Sequence, residues 1–223
     1  GRIGSMFVIN SIATIIWRDV RHSYASGGTW LPVIFYLSAA TLFPFAVGPD
    51  RELLLQTGGG ILWIAALLAT LLPLDRLIQP DLENGVYDQL IVRGISDEMI
   101  AAARLVSHWL SFGPPLLFAA FLASGLMGLE GTPLSILLAS LAIATPALAG
   151  LAVMIAALTA GLKGAGALGG LLLVPLAIPL LIFGAGSLSA QGGSALLFLA
   201  AISLLLVAIT PFAAGAALNA VRE

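Results

Sequence analysis

Side chains able to do chemistry are scarce in this 223-residue chain, and two stretches stand out for theirs. The first is DLENGVYDQL, 81–90, where Asp81, Glu83 and Asp88 stand among Gly85, Tyr87, Gln89 and Leu90. The second is RLVSHW, 104–109, with Arg104, His108 and Trp109. A histidine can ligate a haem iron or pass a proton; beside Trp109, His108 is as well placed to make a structural hydrogen bond at a membrane interface. His22, next to Arg21 in a polar stretch, reads as a solvated side chain.

Most familiar chemistries lack their residues. There is no cysteine, which removes disulfides, thiolate nucleophiles and thiolate metal sites. No phosphate-cradling G-x-x-x-x-G-K-[ST], zinc-binding H-E-x-x-H or nucleophile G-x-S-x-G occurs, so neither ATP hydrolysis nor another catalytic activity is expected of this chain. GAGALG, 164–169, fits G-x-G-x-x-G, but it lies between two apolar stretches and no acid follows before Glu223, so the dinucleotide reading fails. Gly166 and Gly170, four apart, suit close helix packing instead.

The elements that must position these groups are lipid-like. Apolar residues make up 60% of the chain and charged ones 9%, against about a quarter charged in soluble domains, and the mean hydropathy is +1.08. Six apolar stretches are long enough to cross a bilayer as helices, 28–47, 57–78, 105–127, 133–162, 165–187 and 194–221. The fold class is therefore an all-α integral membrane protein, a single domain over 1–223. A net charge of −2 leaves no basic footprint for nucleic acid.

Sorting the basic residues by side puts eight on one face of the membrane and only Arg51 on the other. Both termini and the 79–104 loop are then expected to face the cytoplasm. Ahead of the first span, 6–26 reads as an interfacial amphipathic helix, with Val8, Ile12, Ile15, Ile16 and Val20 on one face and Asn10, Thr14, Arg18 and Arg21 on the other. The first apolar stretch carries no small-residue cleavage pattern, so no removable signal peptide is expected. Prolines recur in the spans, at Pro44, Pro73, Pro114, Pro115, Pro146, Pro175, Pro179 and Pro211, and imply kinks. No acid lies near a midplane, which weighs against ion-coupled transport. Asp75 is expected at the end of the second span.

Within 81–90, Leu82, Val86 and Leu90 share a helical stripe with Tyr87 and Ile91 beside it, predicting one short amphipathic helix weakened by Gly85. Positions 75–104 carry six acids against three arginines. An acidic loop beside an anionic leaflet suits either a protein partner or a solvated linker.

Taken in order, TLFPFAVGPD (41–50), GGGILWIAALLATLLPLDRL (58–77), the 81–90 run, ARLVSHWL (103–110), ATPALAG (144–150) and ALTAGLKGAGALGGLLLVPLAIPLLIFGAG (157–186) resemble the haem exporter protein B family, the membrane subunit of the cytochrome c maturation ABC complex. The resemblance implies an ABC-2 type exporter permease in the bacterial inner membrane, with an interfacial connecting helix, six spans and a coupling helix that docks on a separate ATP-binding subunit, cytochrome c maturation protein A. It further implies a homodimer within a complex containing maturation proteins C and D, work with the periplasmic haem chaperone E, and haem as the substrate handled, with ATP used only through the partner. Asp81, Glu83, Gly85, Gln89 and Leu90 match the family's coupling stretch; Tyr87 and Asp88 depart from it, Arg104 stands where Lys is common, and VRGIS replaces a Ser-Pro turn. The outer loop with Phe43, Pro44, Gly48 and Pro49 is the expected contact for periplasmic partners. A permease for a lipid or polysaccharide shares this architecture, and a scaffold or secondary transporter would need no ATPase.

Overall fold

The computed structural model describes residues 2–189 and 192–222, with side chains from residue 10 onward, and its regular structure is helical throughout. The helices are α1 (Arg2–Ala25), α2 (Trp30–Val47), α3 (Arg51–Ala69), α4 (Leu74–Leu77), α5 (Gln79–Glu83), α6 (Val86–Val92), α7 (Asp97–Leu126), α8 (Gly131–Thr159), α9 (Ala165–Gly186) and α10 (Ala195–Arg222). Six segments of the described chain are long and apolar enough to cross a membrane: α2, α3, α7, α8, α9 and Gly192–Arg222.

α8 is the axis of the bundle. It packs on α7, α9 and α10, and Leu137, Leu141, Ala144, Leu148, Leu151, Ala152 and Ile155 along it are sealed from solvent. Small residues let the neighbours come close, as expected where lipid gives no hydrophobic drive to helix association: Ala119, Ala120 and Ala123 of α7 and Ala144 and Ala147 of α8 are all buried. The outward faces carry the opposite pattern. Leu171, Ile182, Leu197, Leu204 and Phe212 are exposed on α9 and α10, an apolar coat suited to the interior of a bilayer. Pro44, Pro114, Pro115, Pro146, Pro175, Pro179 and Pro211 lie inside helices.

The second apolar stretch is shifted from the expected 57–78. Its helix starts at Arg51, capped by the Asp50 carboxylate, which accepts from the Glu52 and Leu53 amides at 3.1 and 3.2 Å. It ends at Ala69 because Pro73 has no amide to donate, and its ring would strike the carbonyl four residues back. Asp75 consequently sits exposed on α4, not at the end of a span. The third helix runs two turns beyond the expected 105, starting from Ser96, whose hydroxyl caps Met99 at 3.4 Å, so Arg104 lies inside it.

The single helix expected within 81–90 is instead two. Gly85 takes a left-handed φ of 67° between α5 and α6, a conformation that glycine alone adopts at no steric cost. The stripe still forms: Tyr87 and Leu90 are buried, with Leu82, Val86 and Ile91 packed around them, in a second core that includes Ile15 of α1, Ile100 of α7 and Leu218 of α10. On α1, Ile15 turns inward while Arg18 and Arg21 remain exposed; Val8 lies outside the described side chains.

The glycine pair at 166 and 170 does not close a helix contact as expected. A Cβ at Gly170 would meet open space. The close approaches are made by Gly166, against the Asp75 carboxylate, and by Gly169, against Leu74 and Ile155.

Candidate functional site

α5, α6 and their surroundings gather most of the chain's charge on the face of the bundle where α1 meets α7. Arg104, one side-chain face of α7 with 11% exposure, reaches Asp19 of α1 through Nη1 at 2.7 Å and pairs with Asp81 of α5 through Nη2. Arg18 closes the ring, 2.7 Å from Asp19 and 3.2 Å from Asp81. A guanidinium this far from water must be paired, because an uncompensated charge there costs several kcal/mol, about 3–5 when a partner is removed. The Arg104 guanidinium also lies 5.4 Å from the centre of the Tyr87 ring, a cation–π distance. Burial, with Asp19 adding to it, pushes the Tyr87 phenol above its ordinary range, while Arg18 acts the other way.

A second set of pairs holds the far end of the loop. Arg222, in the last turn of α10, grips both Asp97 oxygens at 2.6 and 2.7 Å and stands 3.7 Å from Asp88 of α6. Asp97 is in the first turn of α7 and Arg222 in the last of α10, so each charge also complements its own helix dipole. Gly215 permits this approach: a Cβ there would fall 2.8 Å from the Glu98 amide nitrogen. Gln79 of α5 accepts from the Gly161 amide at 2.7 Å and donates to Glu83 at 2.7 Å, tying the loop to the end of α8.

These contacts divide the predicted loop residues into two sets. Asp81, Tyr87 and Leu90 face the bundle and are engaged there. Glu83, Asp88 and Gln89 face outward, joined by Asn84, Arg93 and Val92, which is 87% exposed. Gly85 supplies the turn between them.

His108 is buried. Its ring stacks on Phe112 at 5.5 Å, and its Nε2 has no partner among the described residues and no contact with solvent, so the interfacial hydrogen bond expected of it is not made at that atom. The neighbouring indole makes one: Trp109 Nε1 donates to Thr145 Oγ1 at 3.2 Å. At the other end of α2, Gly48 takes a φ of 91° and donates to the Pro44 carbonyl at 2.9 Å, and Phe43 leans on the core. Phe45, 82% exposed, is the aromatic that projects there, and Pro49 is exposed beyond it. No grouping of three or more His, Asp or Glu side chains able to hold a metal ion occurs among the described residues.

Asp19 is the participant that sequence reasoning passed over. It lies in RDVRH, where an acid among bases reads as one more polar residue on the solvated face of α1; its partner is 85 positions away. The one available signal was Arg104 itself, a cation inside an apolar helix that required an acid from elsewhere.

Six membrane-length helices, α8 at their centre, with a charged helical loop ion-paired to α1, α7 and α10, define a multi-pass membrane protein. Residues 10–221 match the family model described as CcmB protein. The chain is 43% identical over 211 residues to "Heme exporter protein B" of Paracoccus denitrificans, covering 92% of this chain and 97% of that one. It is 42% identical over 212 residues to the protein of the same name from Rhodobacter capsulatus, with coverage of 92% and 97%. With that of Bradyrhizobium diazoefficiens it shares 38% over 218 residues, covering 95% and 98%. The chain belongs to the CcmB family.

Proposed function

We propose that this chain is the membrane subunit of an ABC exporter that handles haem during c-type cytochrome maturation, driven by ATP hydrolysed in a separate subunit docked on α5 and α6. The names of its relatives support the haem assignment. The observation that carries the coupling is the two-sided loop: Glu83, Asp88, Gln89 and Val92 are exposed to meet a partner, while Asp81 is ion-paired to α7 and α1 and α6 is seated through Tyr87 and Leu90 in the core shared with Ile100 of α7 and Leu218 of α10. A push on the outer edge of α5 and α6 is then transmitted through the Asp81 pairs into α7, which carries Pro114 and Pro115, and through the packing of Tyr87 and Leu90 into the core shared with α10, which carries Pro211. Those prolines are where the helices can bend.

The distribution of arginines supports placing this loop and both ends of the chain in the cytoplasm of a cell whose inner membrane holds the protein. Two copies would pair with two ATPase subunits, with maturation proteins C and D alongside and the haem chaperone E meeting the loop around Phe43, Pro44, Gly48 and Pro49. The chain's share of the work is mechanical. The stacking of His108 on Phe112, with its Nε2 out of contact with solvent, supports a structural part for that ring and not ligation of haem iron in transit.

Expression of the chain in a bacterium deleted for its own homologue tests the assignment. Restored haem staining of c-type cytochromes is the expected result, and His108→Ala should restore it too. A chain that reaches the membrane and restores nothing counts against the haem assignment; loss with His108→Ala alone, at unchanged assembly, counts against the mechanical role.

A further inference from the structure

A cleft of about 640 Å³ opens where the loop 26–29 joins α1 to α2, between α1, α4, α5 and α7. Its size falls within the range that holds a small-molecule headgroup, about 300–1,000 Å³. Its walls are of two kinds. Pro32, Pro73, Leu77 and Phe112 are apolar, whereas Ser23, Ser26 and Thr29 are polar, the exposed Ser26 beside a buried Thr29 whose hydroxyl is hydrogen-bonded to that of Ser23 at 3.0 Å. Among its charged groups Arg18 and Arg104 are matched by Asp19 and Asp81, while Arg76 makes no ion pair among the described residues and lies exposed, with His22 also at the edge.

The aromatic side chains fix the depth of this cleft. Tyr24 and Trp30, at the two ends of the junction whose Ser26, Gly28 and Thr29 line it, are exposed at 37% and 50%, and they meet edge-on at 6.2 Å. Exposed Trp and Tyr with this clustering mark the headgroup level of a bilayer, where an amphipathic ring has one side in lipid and one in water. Beyond Trp30 the exposed surface of α2 is apolar, with Leu31 and Ile34 outward.

We infer that the cleft binds the phosphodiester head of an anionic glycerophospholipid from the adjacent leaflet. Arg76 meets the phosphate, the exposed Ser26 hydroxyl donates to its oxygens, and the acyl chains leave along Leu31 and Ile34. The two aspartates do not repel the head because each is neutralised within the ring of pairs. A lipid there would wedge α1 against α7 beside the Arg104 cluster, so it would act on the same elements as the loop, whether or not an ATPase drives them.

The test is native mass spectrometry of the full chain released from nanodiscs holding equal phosphatidylglycerol and phosphatidylcholine. Preferential retention of phosphatidylglycerol is expected. Arg76→Gln should reduce that retention roughly fivefold, the factor equivalent to about 1 kcal/mol for one basic residue at an anionic surface. Arg76→Lys should keep most of it, and Arg51→Gln, near the other end of α2, should change nothing. Equal retention of the two lipids, or equal losses in Arg76→Gln and Arg51→Gln, would overturn the site. Displacement of the lipid by excess inorganic phosphate would assign the cleft to a soluble anion and also overturn it.

Discussion

With Arg104 removed, Asp19 and Asp81 would share a partly buried site with Arg18 as their remaining ion-pair partner. Arg104→Ala is therefore predicted to lower stability by about 3 kcal/mol, the low end for a broken buried pair because Asp81 retains some solvent contact. Asp81→Asn should cost less, about 1 kcal/mol, since Arg104 keeps Asp19. Thermal unfolding of the purified chain in a mild detergent checks both, and equal melting of Arg104→Ala and wild type would deny the cluster its structural part. Tyr87 makes an opposite prediction. Its hydroxyl is buried with no hydrogen-bond partner among the described residues, while its ring does the packing beside Arg104. Tyr87→Phe should leave stability unchanged or raise it by up to about 1 kcal/mol, because an unpaired buried hydroxyl contributes only a desolvation penalty. A loss of stability in that variant would mean the hydroxyl has a partner after all.

Helix contacts in this bundle are set by glycines that no longer side chain can replace. Trp63 of α3 lies over Gly184 of α9, anchored by its Nε1 donating to Ser140 Oγ at 3.0 Å, and a Cβ at 184 would come within 2.1 Å of the ring. Gly184→Ala must push α3 from α9, at a cost of about 2–3 kcal/mol. Gly170→Ala, with nothing within 4 Å, should be neutral or slightly stabilising through helix propensity; similar melting of the two variants would contradict this packing. The contrast also shows what the sequence could and could not tell. The six apolar stretches, the amphipathic α1 and the inward stripe of Leu82, Val86, Tyr87 and Leu90 were legible because hydropathy and the 3.6-residue period act locally. The break after Ala69 was missed: Pro73 read as a kink within a span drawn to 78, because the apolar run continues on both sides of it. Gly169 was indistinguishable from Gly170 by spacing, since which one faces a neighbour depends on how α9 is rotated in the bundle. The Asp19–Arg104 and Asp97–Arg222 pairs join residues 85 and 125 positions apart, and no local pattern encodes such a partner.

For the molecule as a whole, the orientation rests on an imbalance of arginines and can be read directly, because a chain without cysteine accepts single reporters cleanly. Val92→Cys and Lys163→Cys should react with a membrane-impermeant maleimide only after the cytoplasmic side is opened, and Arg51→Cys should react in intact spheroplasts. The reverse pattern would invert the topology and place the loop out of reach of ATP. The central claim is that α5 and α6 join these six spans to a separate ATPase. Affinity purification of the tagged chain from membranes making c-type cytochromes, beside a variant carrying Glu83→Lys and Asp88→Lys, tests it most directly. An ATP-binding subunit that co-purifies with the wild type and is lost from the variant, at unchanged thermal stability, is the predicted result. No ATPase with the wild type, or one held equally by both chains, would contradict it.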